Sequence, residues 1–204
     1  MKKTFFQRTY NLNASLIVFA LLSFLLNIGI NLLIQMLENI KLPGMHEFFS
    51  MILDNLTSLE YYIQLLSFCL IFVPVLLVFI EFAQRLSKDS LWNYFKSIYQ
   101  TFQMRQFLKQ DVHSEPMSTI ESQTITRINP ILKTFNNSVL RCTVDVRKET
   151  VTVLLRVPRT QQAQKLLKEM EDDIKEEISS RNPNYYFSSP YRKGNKIWFT
   201  GTKR

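Results

Sequence analysis

Residues 14–36 read ASLIVFALLSFLLNIGINLLIQM, and the architecture turns on this stretch. It carries no charge over its whole length. At a rise of about 1.5 Å per residue, a helix this long reaches about 34 Å, enough to cross a hydrocarbon layer of about 30 Å. Residues 61–80, YYIQLLSFCLIFVPVLLVFI, repeat the signal, and the Tyr61–Tyr62 pair suits a headgroup boundary. Two transmembrane helices are therefore expected, at 14–36 and 61–83. The first follows Lys2, Lys3 and Arg8 but is far longer than a signal-peptide core, and no small-x-small cleavage site follows it. It reads as an uncleaved signal-anchor.

The flanks give an orientation. Residues 1–13 are basic, whereas 37–60 hold Glu38, Lys41, Glu47, Asp54 and Glu60, a net of −3. Arg85, Lys88, Lys96 and Arg105 follow the second span. An excess of Lys and Arg marks the cytoplasmic side, so both termini are expected in the cytoplasm and 37–60 outside, in the cell membrane of its host. Phe48, Phe49, Met51, Ile52, Leu53 and Leu56 make that external loop partly apolar, as an interfacial helix would be.

Inside the spans, Ser23, Asn27, Asn31 and Gln35 recur every four residues and share a helix stripe. Gln64, Ser67, Pro74 and Glu81 fall close to one face of the second helix. Such side chains hydrogen-bond across helix interfaces, between spans or between subunits of an oligomer. The competing reading is the lining of a water-filled path, with Pro74 as its kink.

Charge lies beyond the spans. From Ala83 onward there are 21 Lys+Arg against 12 Asp+Glu; before it, 4 against 5. Residues 84–116 open with Ser87–Lys88–Asp89–Ser90, a helix start. Leu91, Phe95, Ile98, Phe102 and Met104 then recur at helical spacing beside Trp92 and Tyr99. This amphipathic helix lies on the inner leaflet or packs against its own copies. His113–Ser114–Glu115–Pro116 ends it.

Residues 117–204 form a small α+β domain. A weak segment, TITRINPILKTF (124–135), leads to a turn at Asn136–Asn137. Leu140, Cys142, Val144 and Val146 then alternate with polar residues. After Lys148–Glu149, Val151, Val153, Leu155 and Val157 do the same, giving a β-hairpin with one apolar face. Thr160 caps a helix running to Arg181, with Ala163, Leu167, Met170, Ile174 and Ile178 on one side. Strands at Tyr185–Ser188 and Lys196–Thr200 follow, the second after a turn at Lys193–Gly194–Asn195. The predicted order is ββαββ, with room for a short leading element. One helix covers one face of an antiparallel sheet, and the other face stays open to a partner.

Within this domain the helix is acidic and the remainder basic, 12 Lys+Arg against 3 Asp+Glu. Arg141, Arg147, Arg156, Arg192, Lys193, Lys196, Lys203 and Arg204 are placed in one patch, interleaved with Tyr185, Tyr186, Tyr191 and Trp198. Cations among aromatics on an open sheet are the ingredients of a platform for single-stranded nucleic acid. The same face suits an anionic lipid or an acidic protein, and an ordinary solvated surface has the same composition.

Catalytic chemistry is not encoded in any recognisable form. No carboxylate pair sits in an apolar setting. The two histidines, His46 and His113, are assigned to opposite sides of the membrane, where a His-based metal site or triad is hard to build. Gly29, Gly44, Gly194 and Gly201 are too dispersed for a phosphate loop, and Cys69 and Cys142 read as free apolar residues. No enzyme, cofactor or metal is expected.

Two spans, a short external loop and a cytoplasmic part resemble the membrane anchor of type IV coupling proteins. The resemblance covers the anchor, and the ATPase domain of that family is missing. The leading expectation is a non-enzymatic adaptor whose basic domain recruits an acidic partner, DNA or a DNA-handling complex of a plasmid or mobile element. The alternatives are a membrane effector gated by a small anion such as a nucleotide, and a structural subunit of a larger membrane complex.

Overall fold

A computed structural model describes residues 2–39, 46–112 and 129–204 of the chain. The expected break at His113–Pro116 and the start of the segment before Asn129 lie outside the described residues. The chain divides into two compact units, Arg8–Ala83 and the combination of Met1–Gln7 with Gln84–Arg204.

The first unit is a pair of long apolar helices, α1 (Phe5–Glu38) and α2 (His46–Lys88), whose ends extend into the other unit. Both are long and apolar enough to cross a membrane. Only 17% and 11% of their most apolar windows are buried, unlike core helices of a soluble protein. The stretch 46–60, expected as a separate surface helix, is instead the opening of α2, which runs unbroken through Pro74. Nothing in its sequence stops a helix between His46 and Tyr61, so the two elements fuse.

Polar side chains mark the seam between α1 and α2. The Ser23 and Ser67 hydroxyls are 2.6 Å apart, and Asn31 Nδ2 donates to Glu60 Oε1 at 2.8 Å. Asn27 Nδ2 donates to the Glu60 carbonyl at 3.5 Å, and Gln35 Nε2 to Asn31 Oδ1 at 2.7 Å. Glu81 is buried, while Gln35 and Gln64 are exposed. Gln64 therefore leaves the stripe assigned to it: three residues before Ser67, it falls on the flank of the helix.

The second unit is a small antiparallel sheet domain. α3 (Leu91–Leu108) and α4 (Pro130–Val139) precede β1 (Thr143–Val146) and β2 (Thr150–Arg156). Next come α5 (Gln161–Glu169) and α6 (Glu171–Arg181), then β3 (Tyr185–Phe187), β4 (Tyr191–Lys193) and β5 (Lys196–Lys203). The strand order is β1-β2-β5-β3, with β4 pairing the other half of β5. This differs from ββαββ in four ways, the first being a fifth strand, β4, that pairs β5 through the turn at Gly194. A full helix, α4, leads the sheet: Asn129 Oδ1 accepts from Ile131 N and Leu132 N, and Pro130 occupies the first turn. Asn136 and Asn137 are helical rather than a turn, so the first strand begins at Thr143 instead of Leu140. The expected single helix is two, parting at Met170 (φ −88°, ψ 1°), and Thr160 stands at its start without a side-chain cap bond.

The core lies on one face of the sheet. Val144, Val146, Val151, Val153, Leu155, Ile197 and Phe199 pack with Phe135, Val139, Ala163, Leu167, Ile174 and Ile178 from the helices. Gly201 belongs to this face: a Cβ there would stand 2.7 Å from the Phe187 ring, so the ring occupies the place a side chain would need. At the β4–β5 hairpin, Gly194 (φ +60°) takes the left-handed conformation that its two-residue turn demands.

The opposite face is not open as expected. Thr143, Asp145, Leu154 and Trp198 are all buried on it. Gln7 Nε2 donates to the Thr152 carbonyl at 3.3 Å, which seats the start of α1 there.

Candidate functional site

A helix closes the free edge of β1. Ser97, Thr101 and Arg105 stand four residues apart along one side of α3. Val146 N donates to Ser97 Oγ at 2.9 Å, and Val144 N to Thr101 Oγ1 at 2.9 Å. Thr101 Oγ1 also donates to the Val144 carbonyl at 3.2 Å, and Arg105 Nε to the Cys142 carbonyl at 2.9 Å. These side chains satisfy backbone groups that a neighbouring strand would otherwise pair, which removes an aggregation-prone edge. The aromatic face of α3 is exposed, and its polar face packs inward.

Arg85, in the last turn of α2, is fully buried in the sheet domain. Its guanidinium donates to Asp145 Oδ1 at 2.6 Å, to Asp89 Oδ2 at 3.2 Å and to the Val146 carbonyl at 3.1 Å. The rings of Phe6 and Tyr94 lie 5.7 and 5.6 Å from it. Asp89 Oδ1 also accepts from Asn93 Nδ2 at 2.6 Å and from Lys148 N at 2.9 Å. One cation thus ties the end of α2, the start of α3 and the β1–β2 hairpin together.

The predicted basic patch is spread over several places. Arg147 pairs with Asp145 at 3.0 Å. Tyr185 donates its hydroxyl to the Arg147 carbonyl at 2.9 Å; burial raises its pKa above the ordinary phenol value, and Asp89 and Glu149 add to that. Trp198 is only 4% exposed, so its ring offers no stacking surface. Arg141 is exposed at the entrance to β1. Lys203 and Arg204, near the exposed Tyr186, sit at the far end of β5, about 23 Å from Lys196 at some 3.3 Å per residue.

What the fold does bring together is a row across three strands. Arg156 on β2 is registered opposite Lys196 on β5, which is registered opposite Lys193 on β4. Directly opposed residues share a face, so three cations stand side by side, none in an ion pair among the described residues. One step along the same face lies Tyr191, 51% exposed, its ring 6.4 Å from that of the buried Trp198. Sequence alternation places 156, 193 and 196 only on their own strands; the register that aligns them follows from the Gly194 turn and the β2–β5 pairing.

Arg192 points to the other side. It donates to Gln164 Oε1 at 3.3 Å and, with Lys165, Lys168, Glu171 and Leu167, lines an open groove of about 460 Å³ beside α5. Partial burial raises the pKa of Glu171 above the ordinary carboxylate value, while neighbouring Lys168 opposes that rise.

Cys142 is fully buried, and burial pushes its thiol up to about 12 against an ordinary 9.0, with Arg105 opposing. The folded chain thus holds this proton more tightly than the unfolded one. The stabilisation is complete below about pH 9 and is lost as pH rises towards 12. Urea midpoints of the full chain are expected to fall over that window, and Cys142→Ala should flatten the fall. An unchanged slope in that variant would assign the effect to other groups. No group of His, Cys, Asp and Glu suited to a metal ion occurs among the described residues.

Comparison of the chain with models of known protein families, with curated proteins and with solved structures gives no match in any of the three.

Proposed function

We propose that the protein is a non-enzymatic, membrane-anchored adaptor that holds an acidic partner, DNA in the first instance, against its sheet domain. The anchor is the α1–α2 pair, whose outward surface carries residues such as Leu25, Phe68 and Phe79, 63–70% exposed. Apolar surface on that scale is unstable in water and at home in lipid. Flanking charge orients both termini to the cytoplasm.

The observation that carries the partner assignment is the Arg156–Lys196–Lys193 row. Like charges facing each other across strands are destabilising, a cost that a bound polyanion reverses. Tyr191 beside the row supplies a ring on which a base stacks. The polar seam supports the adaptor over the gated effector, because Ser23, Asn31, Ser67 and Glu60 spend their hydrogen bonds on one another.

The test is fluorescence anisotropy of labelled single- and double-stranded DNA with the full chain in nanodiscs, across a salt series. Binding in the micromolar range is expected, preferring single strands. Converting Arg156, Lys193 and Lys196 to Gln should weaken it at least tenfold. At roughly 0.7 per phosphate contact, the log–log salt slope should become shallower by about 2. Equal binding by the triple variant would remove the row from the site, and no binding by the parent chain would remove DNA.

A further inference from the structure

The outward face of α3 is aromatic. Trp92, Phe95, Tyr99 and Phe102 recur three or four residues apart and are 75%, 52%, 61% and 58% exposed. The opposite face is occupied: Ser97, Thr101 and Arg105 bond to β1, and Met104 and Leu108 enter the core. α3 cannot roll to bury its aromatics without giving up those bonds. We infer that this aromatic face lies in the lipid headgroup region of the membrane, making α3 an in-plane helix that fixes the sheet domain at the bilayer surface. The inference rests on α1 and α2 being membrane spans, as proposed above.

Three observations select lipid over a second copy of the chain. The first is reach. α2 ends at Lys88 and α3 begins at Leu91, so Trp92 lies within about 14 Å of the end of α2 at some 3.5 Å per residue. If α2 crosses the bilayer, the surface is already beside α3, and contact costs no association entropy. A second copy would have to bear that cost. The second is composition. Trp and Tyr pair an apolar body with a polar tip and concentrate at the membrane boundary. The third is the setting. Leu86, 69% exposed, extends the apolar surface back towards α2, and Lys96 and Lys109 lie on the flanks of the aromatic stripe, placed for anionic headgroups.

The full chain reconstituted in vesicles of phosphatidylcholine and phosphatidylglycerol provides the test, with lipids brominated near the top of their acyl chains as quencher. The chain has two tryptophans, and Trp198 is buried in the sheet domain. Roughly half of the emission should be quenched, and Trp92→Phe should abolish that half while leaving the remainder. An alkaline wash and flotation are run on the same vesicles. Protein that floats after the wash but shows no quenchable emission overturns the headgroup assignment and leaves the spans standing. Protein that is stripped by the wash overturns both. Cross-linking between copies through Tyr99→Cys in a Cys69→Ser background, with Trp92 unquenched, would give the face to a second copy instead.

Discussion

Replacing Arg85 by methionine is expected to destabilise the sheet domain by about 3–5 kcal/mol, the usual cost of removing one member of a buried ion pair. Methionine fills much of the volume of the arginine stem, so the loss is chiefly electrostatic. Asp89 and Asp145, both nearly fully buried, would face each other without the cation between them. The Val146 carbonyl would lose a donor, and the Phe6 and Tyr94 rings the charge beside them. Thermal unfolding of the full chain in detergent, followed by near-ultraviolet circular dichroism, should show a midpoint lower by more than about 10 °C. Arg85→Lys should fall between the two, since an ammonium keeps the charge but cannot fork to two acceptors and a carbonyl. A shift of only a degree or two in Arg85→Met would mean that the buried network is not a structural tie.

The second large effect is expected at the edge of β1. Thr101→Val keeps the shape of the side chain and removes its hydroxyl, leaving Val144 N and its carbonyl without partners in a dry place. Ser97→Ala does the same to Val146 N. Each orphaned backbone group costs about 1–3 kcal/mol, so the double variant should lose several kcal/mol. Hydrogen exchange locates the loss: the Val144 and Val146 amides should exchange much faster than that of Val153 in the sheet interior. The bared edge should also favour association between copies, visible as a concentration-dependent rise in mass. Unchanged protection of Val144 and Val146 would show that another group closes the edge.

These two sites mark where reading the sequence succeeds and where it stops. The uncharged runs at 14–36 and 61–80 and the alternation from Cys142 to Val157 are local patterns, and the structure has two long apolar helices and an antiparallel hairpin there. The apolar side of the later helices was equally plain, since Ala163, Leu167, Ile174 and Ile178 recur at helical spacing and are all buried. α4 was missed although Asn129–Pro130 is a strong start signal; the paired Asn136–Asn137 looked like a turn, and the helix overrides it.

The polar face of α3 and what it binds were not legible in the sequence. Periodicity says which residues lie together, not which side faces protein, and here the hydroxyls are needed at a strand edge. Asp145 read as an outward strand residue because its cation comes from Arg85, sixty positions away. The basic patch was legible as composition only. Register divides it, aligning Arg156, Lys196 and Lys193 while burying Trp198 and engaging Arg147 with Asp145.

If α1 and α2 cross a bilayer, the chain carries its own reporter of it. Cys69 lies on the outward surface of α2, in the middle of the second apolar run, whereas Cys142 is buried in the sheet domain. In sealed vesicles, a membrane-impermeant maleimide should leave Cys69 unmodified, because lipid shields a thiol that the protein does not. Both cysteines should react after denaturation in sodium dodecyl sulfate. Prompt modification of Cys69 in intact vesicles would place that surface in water and contradict the membrane anchor.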